Sequence, residues 1–174
     1  NYSDSYYAES GAEIVETAQS VFQADLVLKV LPPTLAEVQM MRQRCTVFSV
    51  LYLHRLSKPL LELMQEKKIS ALAYELMYDD TGVSPFVTSI SEIEGVTSIT
   101  LAAELLSNAH GGKGILLGGI PGISPTEVVI IGAGVAGIMA ARTAMALGAA
   151  VKVFDEDILK LRHIRHELGS ALFT

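Results

Sequence analysis

Val128-Val129-Ile130-Ile131 runs directly into Gly132-Ala133-Gly134-Val135-Ala136-Gly137, and this junction constrains the chain more than any other stretch. An apolar strand, a tight glycine turn and an Ala-rich helix follow one another without a spacer. A second strand, Ala150 to Phe154, then ends on Asp155, 18 residues past the last glycine. Strand, turn, helix, strand and acid in that order are what binding a dinucleotide requires. Gly132 permits the sharp turn, Gly134 lets the backbone approach a diphosphate, and Gly137 lets the helix pack closely on the strand. The helix N-terminus offers unpaired N–H groups and a partial positive charge to the phosphates. Asp155 is placed to accept from both hydroxyls of the adenosine ribose, and its charge repels a 2′-phosphate. NAD is therefore the expected cofactor, in preference to NADP.

Half of the 174 residues are hydrophobic and only 18% are charged, which excludes a disordered chain. The net charge of −6 and the lack of any Lys/Arg cluster exclude a nucleic-acid surface. The longest apolar stretch, Val128 to Ala141, is interrupted by three glycines and is too short to span a bilayer. No membrane association is expected. A single cysteine, Cys45, cannot form an internal disulfide, so a reducing, cytoplasmic location is the expectation. It also leaves no structural zinc site, and no His/Cys/Asp/Glu group has metal-ligand spacing.

Upstream of the glycine turn the pattern alternates. Ser3 caps a helix from Asp4 to Glu9. Ala12 to Val15 reads as a short strand, Thr17 to Gln23 as a helix, and Asp25 to Val30 as a strand. Pro32-Pro33 breaks the chain, and Thr34 caps a helix from Leu35 to about Gln43. Cys45 to Leu53 reads as a long strand, Lys58 to Lys67 as a helix after Ser57, and Ile69 to Tyr74 as a strand. Continuously apolar strands alternating with helices imply parallel sheets covered on both faces. Asp79-Asp80-Thr81-Gly82 is a turn and Ser84-Pro85 a loop. Ser91 to Ser107 then reads as a long helix. The expected fold is α/β, with two doubly wound parallel-sheet (Rossmann-like) units, both truncated, joined by that helix. The first, 1–90, is the substrate domain and the second, 91–174, the NAD-binding domain. A basic helix, Ile158 to Leu168, and the start of a third strand, Ser170 to Phe173, complete the second unit. With so few strands in each sheet, a piece of a longer protein is expected.

Ligands of open parallel sheets bind beyond the carboxyl ends of the strands. Lys29, His54 and Glu75 occupy those positions in the first unit. His54 is the foremost of the three, since an imidazole there titrates near neutrality and can exchange a proton with a substrate oxygen. His110 lies in a glycine loop, and His163 and His166 lie on a charged helix. Gly111-Gly112-Lys113-Gly114 lacks the spacing and the hydroxyl residue of a phosphate-cradling Walker loop.

The segment His110-Gly111-Gly112-Lys113-Gly114-Ile115-Leu116-Leu117-Gly118-Gly119-Ile120-Pro121-Gly122 resembles the loop that enters the nucleotide domain of alanine dehydrogenases. Leu28-Lys29-Val30, Tyr52-Leu53-His54, Ala73-Tyr74-Glu75 and Ser91-Glu92 resemble the same family, in the same order along the chain. The resemblance implies reversible, NAD-linked oxidative deamination of L-alanine to pyruvate and ammonia. It assigns the acid/base role to His54 and NAD contacts to Ser91, Val135, Ala136, Asp155 and Lys160, with substrate held between two domains. It also implies a homo-oligomer, a hexamer or a dimer. The chain departs from the family at Lys29-Val30-Leu31-Pro32-Pro33, where the usual pattern is Lys-Val-Lys-Glu-Pro and the substrate-holding lysine falls on Leu31. Lys29 lies on the same face about 7 Å back along the strand. Glu94-Gly95-Val96 stands where Ala-Gly-Arg is usual, and Ile90 where methionine is usual. A related family, the NAD-binding subunits of proton-translocating transhydrogenases, is the alternative, and a non-enzymatic NAD-binding regulator is a third reading.

Overall fold

The computed structural model describes residues 2–174. The chain divides into two compact units, one ending at Ser84 and the other beginning at Pro85.

The first unit opens on helix α1 (Asp4–Glu9), where the Ser3 side chain accepts from the Tyr6 amide, and the short α2 (Ala18–Val21), capped by Thr17. Its sheet has three parallel strands in the order β1 (Leu26–Leu28), β2 (Thr46–Ser49) and β3 (Ser70–Ala73). Helices α3 (Leu35–Met40) and α4 (Lys58–Glu66) form the crossovers. A reciprocal capping box starts α3. The Thr34 amide donates to Glu37 Oε2 (2.6 Å), and the Glu37 amide donates to Thr34 Oγ1 (3.3 Å). The core joins Val27 and Val47 of the strands to Phe22, Val38, Met41, Cys45, Leu60 and Met64. Burial pushes the Cys45 thiol above its ordinary range.

The second unit begins with α5 (Pro85–Leu106), then β4 (Glu127–Ile131), α6 (Val135–Ala146), β5 (Ala150–Phe154) and α7 (Ile158–Leu168). β4 and β5 pair in parallel, Ile130 beside Val153. Phe173 adds a single parallel bridge to Lys152, which is the onset of the third strand expected at Ser170 to Phe173. Ala140, Ala141 and Ala144 are buried in α6 beside Ile130, Val151, Val153, Ile164 and Leu172. Side chains this small let α6 lie close to its sheet and to α5. Gly95 of α5 meets the Ala136 carbonyl and the Met139 Cβ so tightly that a methyl group has no room.

Four sequence expectations need correction. Ala12 to Val15 forms no strand, because no neighbouring strand takes up its backbone groups. The strand expected over Cys45 to Leu53 stops at Ser49, where the backbone leaves the ladder toward a left-handed Tyr52. The long helix begins at Pro85 rather than Ser91, since proline is well suited to a first helical turn. The sheets are covered on one face rather than two. Val27 and Val47 are buried while Leu28 is 68% exposed, and Ile130 is buried while Ile131 is 89% exposed. In each sheet the buried strand residues cluster with helix residues, Val38, Leu60 and Met64 in the first and Ala140 and Ile164 in the second. Among the described residues no helix is long and apolar enough to cross a membrane.

Candidate functional site

In the second unit the chain leaves β4 at Ile131 and turns at Gly132, whose φ of +108° a side-chain-bearing residue rarely adopts. The Gly132 amide donates to the Phe154 carbonyl (2.7 Å), so the turn is tied to the end of β5. Gly134 is the N-cap of α6, and a Cβ built on it meets nothing within 4 Å. The space beside it is open to a ligand. At Gly137 the opposite holds, because a Cβ there would collide with the Gly132 carbonyl oxygen. The first amides of α6 have no carbonyl one turn earlier to bond, and they face this turn with the positive end of the helix dipole.

Asp155 directly follows β5. Its Oδ2 accepts from the Ala133 amide (2.7 Å), inside the glycine turn, and its Oδ1 from the Asp157 amide (2.8 Å). The Ala133 bond first, and the Asp157 bond next, hold this carboxyl below the ordinary carboxylate range, and the Lys160 charge adds to the effect. The group is anionic at neutral pH. A carboxylate has about four acceptor positions, so two amide bonds leave capacity for ligand hydroxyls.

Gly132, Gly134, Ala136 and Gly137 line a cleft of about 450 Å³ together with Glu94, Gly95 and Ser98 of α5. The glycine motif identifies one wall. The other wall, from α5, was missed by sequence reasoning, and the only available signal was Gly95 at the centre of a helix. Ser98 donates to the Gly95 carbonyl (2.8 Å). Val135 opens α6 and is exposed, Lys160 lies exposed on α7, and Ser91 lies half-buried on α5 one turn before Gly95. Ser91, Val135, Asp155 and Lys160 are not among the residues lining the cleft. An open glycine cradle, free helix amides and an anionic acid two residues past a buried strand position are the donors and acceptors that an adenine dinucleotide uses.

In the first unit, His54 sits exposed in a single 3-10 turn, Leu53–Arg55, just beyond β2. Glu75 sits in the 3-10 turn Tyr74–Leu76 beyond β3, and Lys29 follows β1. The three end-of-strand positions therefore share one edge of the parallel sheet. Lys29 is not free there. Its Nζ lies 2.7 Å from both oxygens of Glu37 and donates to the Pro32 carbonyl (3.4 Å). Burial raises the Glu37 carboxyl, but the bonds from Lys29 and Thr34 outweigh it and leave it below its ordinary range. Glu37 as the partner of Lys29 had no signal in the sequence beyond its place in the capping box. Leu31 is 68% exposed. His110 lies 3.2 Å from Glu104 and His163 3.4 Å from Glu167, both as surface pairs.

The family model described as alanine dehydrogenase/PNT, N-terminal domain, matches residues 1–94, and that described as alanine dehydrogenase/PNT, C-terminal domain, matches 98–174. An alanine dehydrogenase of Mycolicibacterium smegmatis is 41% identical over 173 residues, covering 99% of this chain and 46% of that protein. A solved L-alanine dehydrogenase matches with a TM-score of 0.84 at 34% identity, over 99% of this chain and 48% of that one. A transhydrogenase from Sinorhizobium meliloti matches with a TM-score of 0.78 at 25% identity, over 97% of this chain and 48% of that one. The chain thus spans about half the length of the relatives it matches. Two family models covering nearly all of the sequence in the family's own domain order settle its kinship: the chain belongs to the alanine dehydrogenase/PNT family.

Proposed function

We propose that this chain carries the acid/base residue and the cofactor-binding turn of an NAD-dependent alanine dehydrogenase, which converts L-alanine and water reversibly to pyruvate and ammonia. The observation that carries the cofactor assignment is the anionic Asp155 bonded to the Ala133 amide within the glycine turn. In support of this reading, the bond ties the Asp155 carboxylate to the same turn that carries Gly132 and Gly134. In this reading Gly134 admits the diphosphate, the Val135 and Ala136 amides bond it, and Asp155 accepts from the ribose hydroxyls. Lys160 and Ser91 bind the remainder of the adenosine and nicotinamide halves. The negative charge of Asp155 disfavours a 2′-phosphate, hence NAD rather than NADP.

Bound NAD supplies the hydride acceptor in deamination and the donor in amination. His54 takes the proton from the substrate oxygen as the carbonyl forms and returns it in the reverse direction. Lys29 joins the substrate site only if its pair with Glu37 opens, which makes it an electrostatic contributor rather than a direct ligand in the resting arrangement. The substrate domain is 1–90 and the NAD-binding domain 91–174 in this reading, and the protein works as a cytoplasmic homo-oligomer, a hexamer or a dimer. Assaying the intact protein for NADH oxidation that requires both pyruvate and ammonia tests the proposal. No oxidation above the rate without ammonia refutes it.

The likeness to a transhydrogenase, together with Leu31 in place of the substrate-holding lysine, favours one second reading: the NAD-binding subunit of such an enzyme. Hydride exchange between NADH and an NADP analogue in the presence of a partner subunit, with no dependence on pyruvate, would select it.

A further inference from the structure

Beyond Ser49 the backbone leaves β2 through Val50 and Leu51 and turns left-handed at Tyr52, with φ 45° and ψ 60°. The turn carrying His54 is then closed by the Arg55 amide, which donates to the Tyr52 carbonyl (2.6 Å). A tyrosine in this conformation is disfavoured by its Cβ and persists only where its surroundings hold it. The Arg55 guanidinium lies over the Tyr52 ring (5.4 Å) and the Tyr52 and His54 rings are 6.3 Å apart, while one side chain holds the backbone of the turn. Glu75 Oε1 accepts from the amides of both Leu51 (2.9 Å) and Tyr52 (2.8 Å), bridging the end of β3 to the exit of β2. The adjacent Tyr74 is itself anchored, buried and donating its hydroxyl to the Val30 carbonyl (2.6 Å). Glu75 therefore reaches across from a fixed base. Its Oε2 is buried with no hydrogen-bond partner among the described residues. The two amides are thus held by one oxygen, at the cost of burying the other.

We propose that Glu75 is the positioning residue for His54. By bridging the Leu51 and Tyr52 amides it keeps Tyr52 left-handed, and this sets the point and direction from which the imidazole leaves the sheet edge. Glu75 acts through reach and acceptor geometry, with no contact to substrate. The proposal rests on the reading of His54 as the proton-transfer residue.

Two conservative variants separate reach from charge. Glu75→Gln keeps the length and one acceptor oxygen and loses the charge. Glu75→Asp keeps the charge and is one methylene too short to bridge both amides from the same base. In the intact protein, pyruvate amination by Glu75→Gln is expected within about threefold of the parent kcat. Glu75→Asp should lose about tenfold or more in kcat, with KM for pyruvate and the Kd for NADH within about threefold. NMR supplies a readout independent of turnover: the Tyr52 amide and the His54 ring signals should match the parent in Glu75→Gln, and shift or broaden in Glu75→Asp. The proposal is overturned if Glu75→Asp keeps the parent kcat and His54 signals, or if Glu75→Gln is the more damaged of the two. Full activity in His54→Ala would instead remove the acid/base reading, while the Tyr52 amide would still report whether Glu75 holds the turn.

Discussion

The Ala133 amide donates to Asp155 Oδ2 across 2.7 Å, so the residue between the first two glycines of the turn is fastened to the acid that ends the second strand. Two features that are far apart in sequence form one unit. Substitution of either end is felt at the other.

Asp155→Ala should therefore weaken NAD binding about tenfold or more, through both the lost ribose acceptors and the loosened turn. Titrating NAD and NADP into the intact parent and variant by calorimetry measures this. Equal NAD affinities would detach Asp155 from the cofactor.

The same bond has a pH signature. Because amide donors depress the Asp155 carboxyl in the folded state, its stabilising contribution is present above the unfolded carboxyl's pKa, about 3.9, and is lost as pH falls through the lower folded value. An NMR titration should show the Ala133 amide unchanged from pH 7 to about 4 and moving only below that. Movement centred near pH 6 would contradict the assignment.

Gly134 and Gly137 should respond oppositely. Gly137→Ala drives a methyl into the Gly132 carbonyl and should destabilise the second unit by about 1–3 kcal/mol, read by urea unfolding. Gly134→Ala has open space and an ordinary φ of −78°, so its stability should change by less than about 0.5 kcal/mol while dinucleotide affinity falls. Unchanged NAD affinity in Gly134→Ala would place the diphosphate elsewhere.

Glu37→Ala removes half of the α3 capping box and leaves the Lys29 ammonium, 19% exposed, without its carboxylate. A loss of about 1–2 kcal/mol is expected in denaturant unfolding. Most of the loss should survive 0.5 M salt, because the cap does not depend on screening; complete suppression by salt would show that the ion pair alone matters.

His54→Ala should reduce pyruvate amination by about two to four orders of magnitude and leave NAD binding at the parent value. Stopped-flow NADH oxidation beside equilibrium titration separates the two. Turnover at the parent rate would return His54 to the status of a surface residue.

The second unit was the more legible in sequence because its determinants are local. Gly132, Gly134, Gly137 and Asp155 occur within one strand–helix–strand, and each has a conformational or steric reason to be what it is. The capping residues Ser3 and Thr34 likewise marked their helices from within a few positions. What escaped was non-local. Apolar Val50 and Leu51 read as a continuation of β2, yet the Leu51 and Tyr52 amides donate to Glu75, more than twenty positions away, and not to a neighbouring strand. Lys29 read as an open cation at a strand end, and only folding brings Glu37 to it. Gly95 stood out only as a glycine within a helix, and its close approach to Ala136 and Met139 of α6 is a tertiary fact. Ala12 to Val15 had strand-like residues but no partner strand, which residue pattern alone does not reveal.

Gly118, Gly119 and Gly148 meet main chain to main chain: side-chain atoms grafted onto Gly118 would strike the Leu147 carbonyl, and onto Gly119 that of Gly148. At such a seam a bulky substitution on one side has nothing opposite that can shrink to accommodate it, because the opposing atoms are peptide groups common to every residue. Second-site suppressors of lesions at 118, 119 or 148 should accordingly be found not across the seam but in changes that let a whole segment slide.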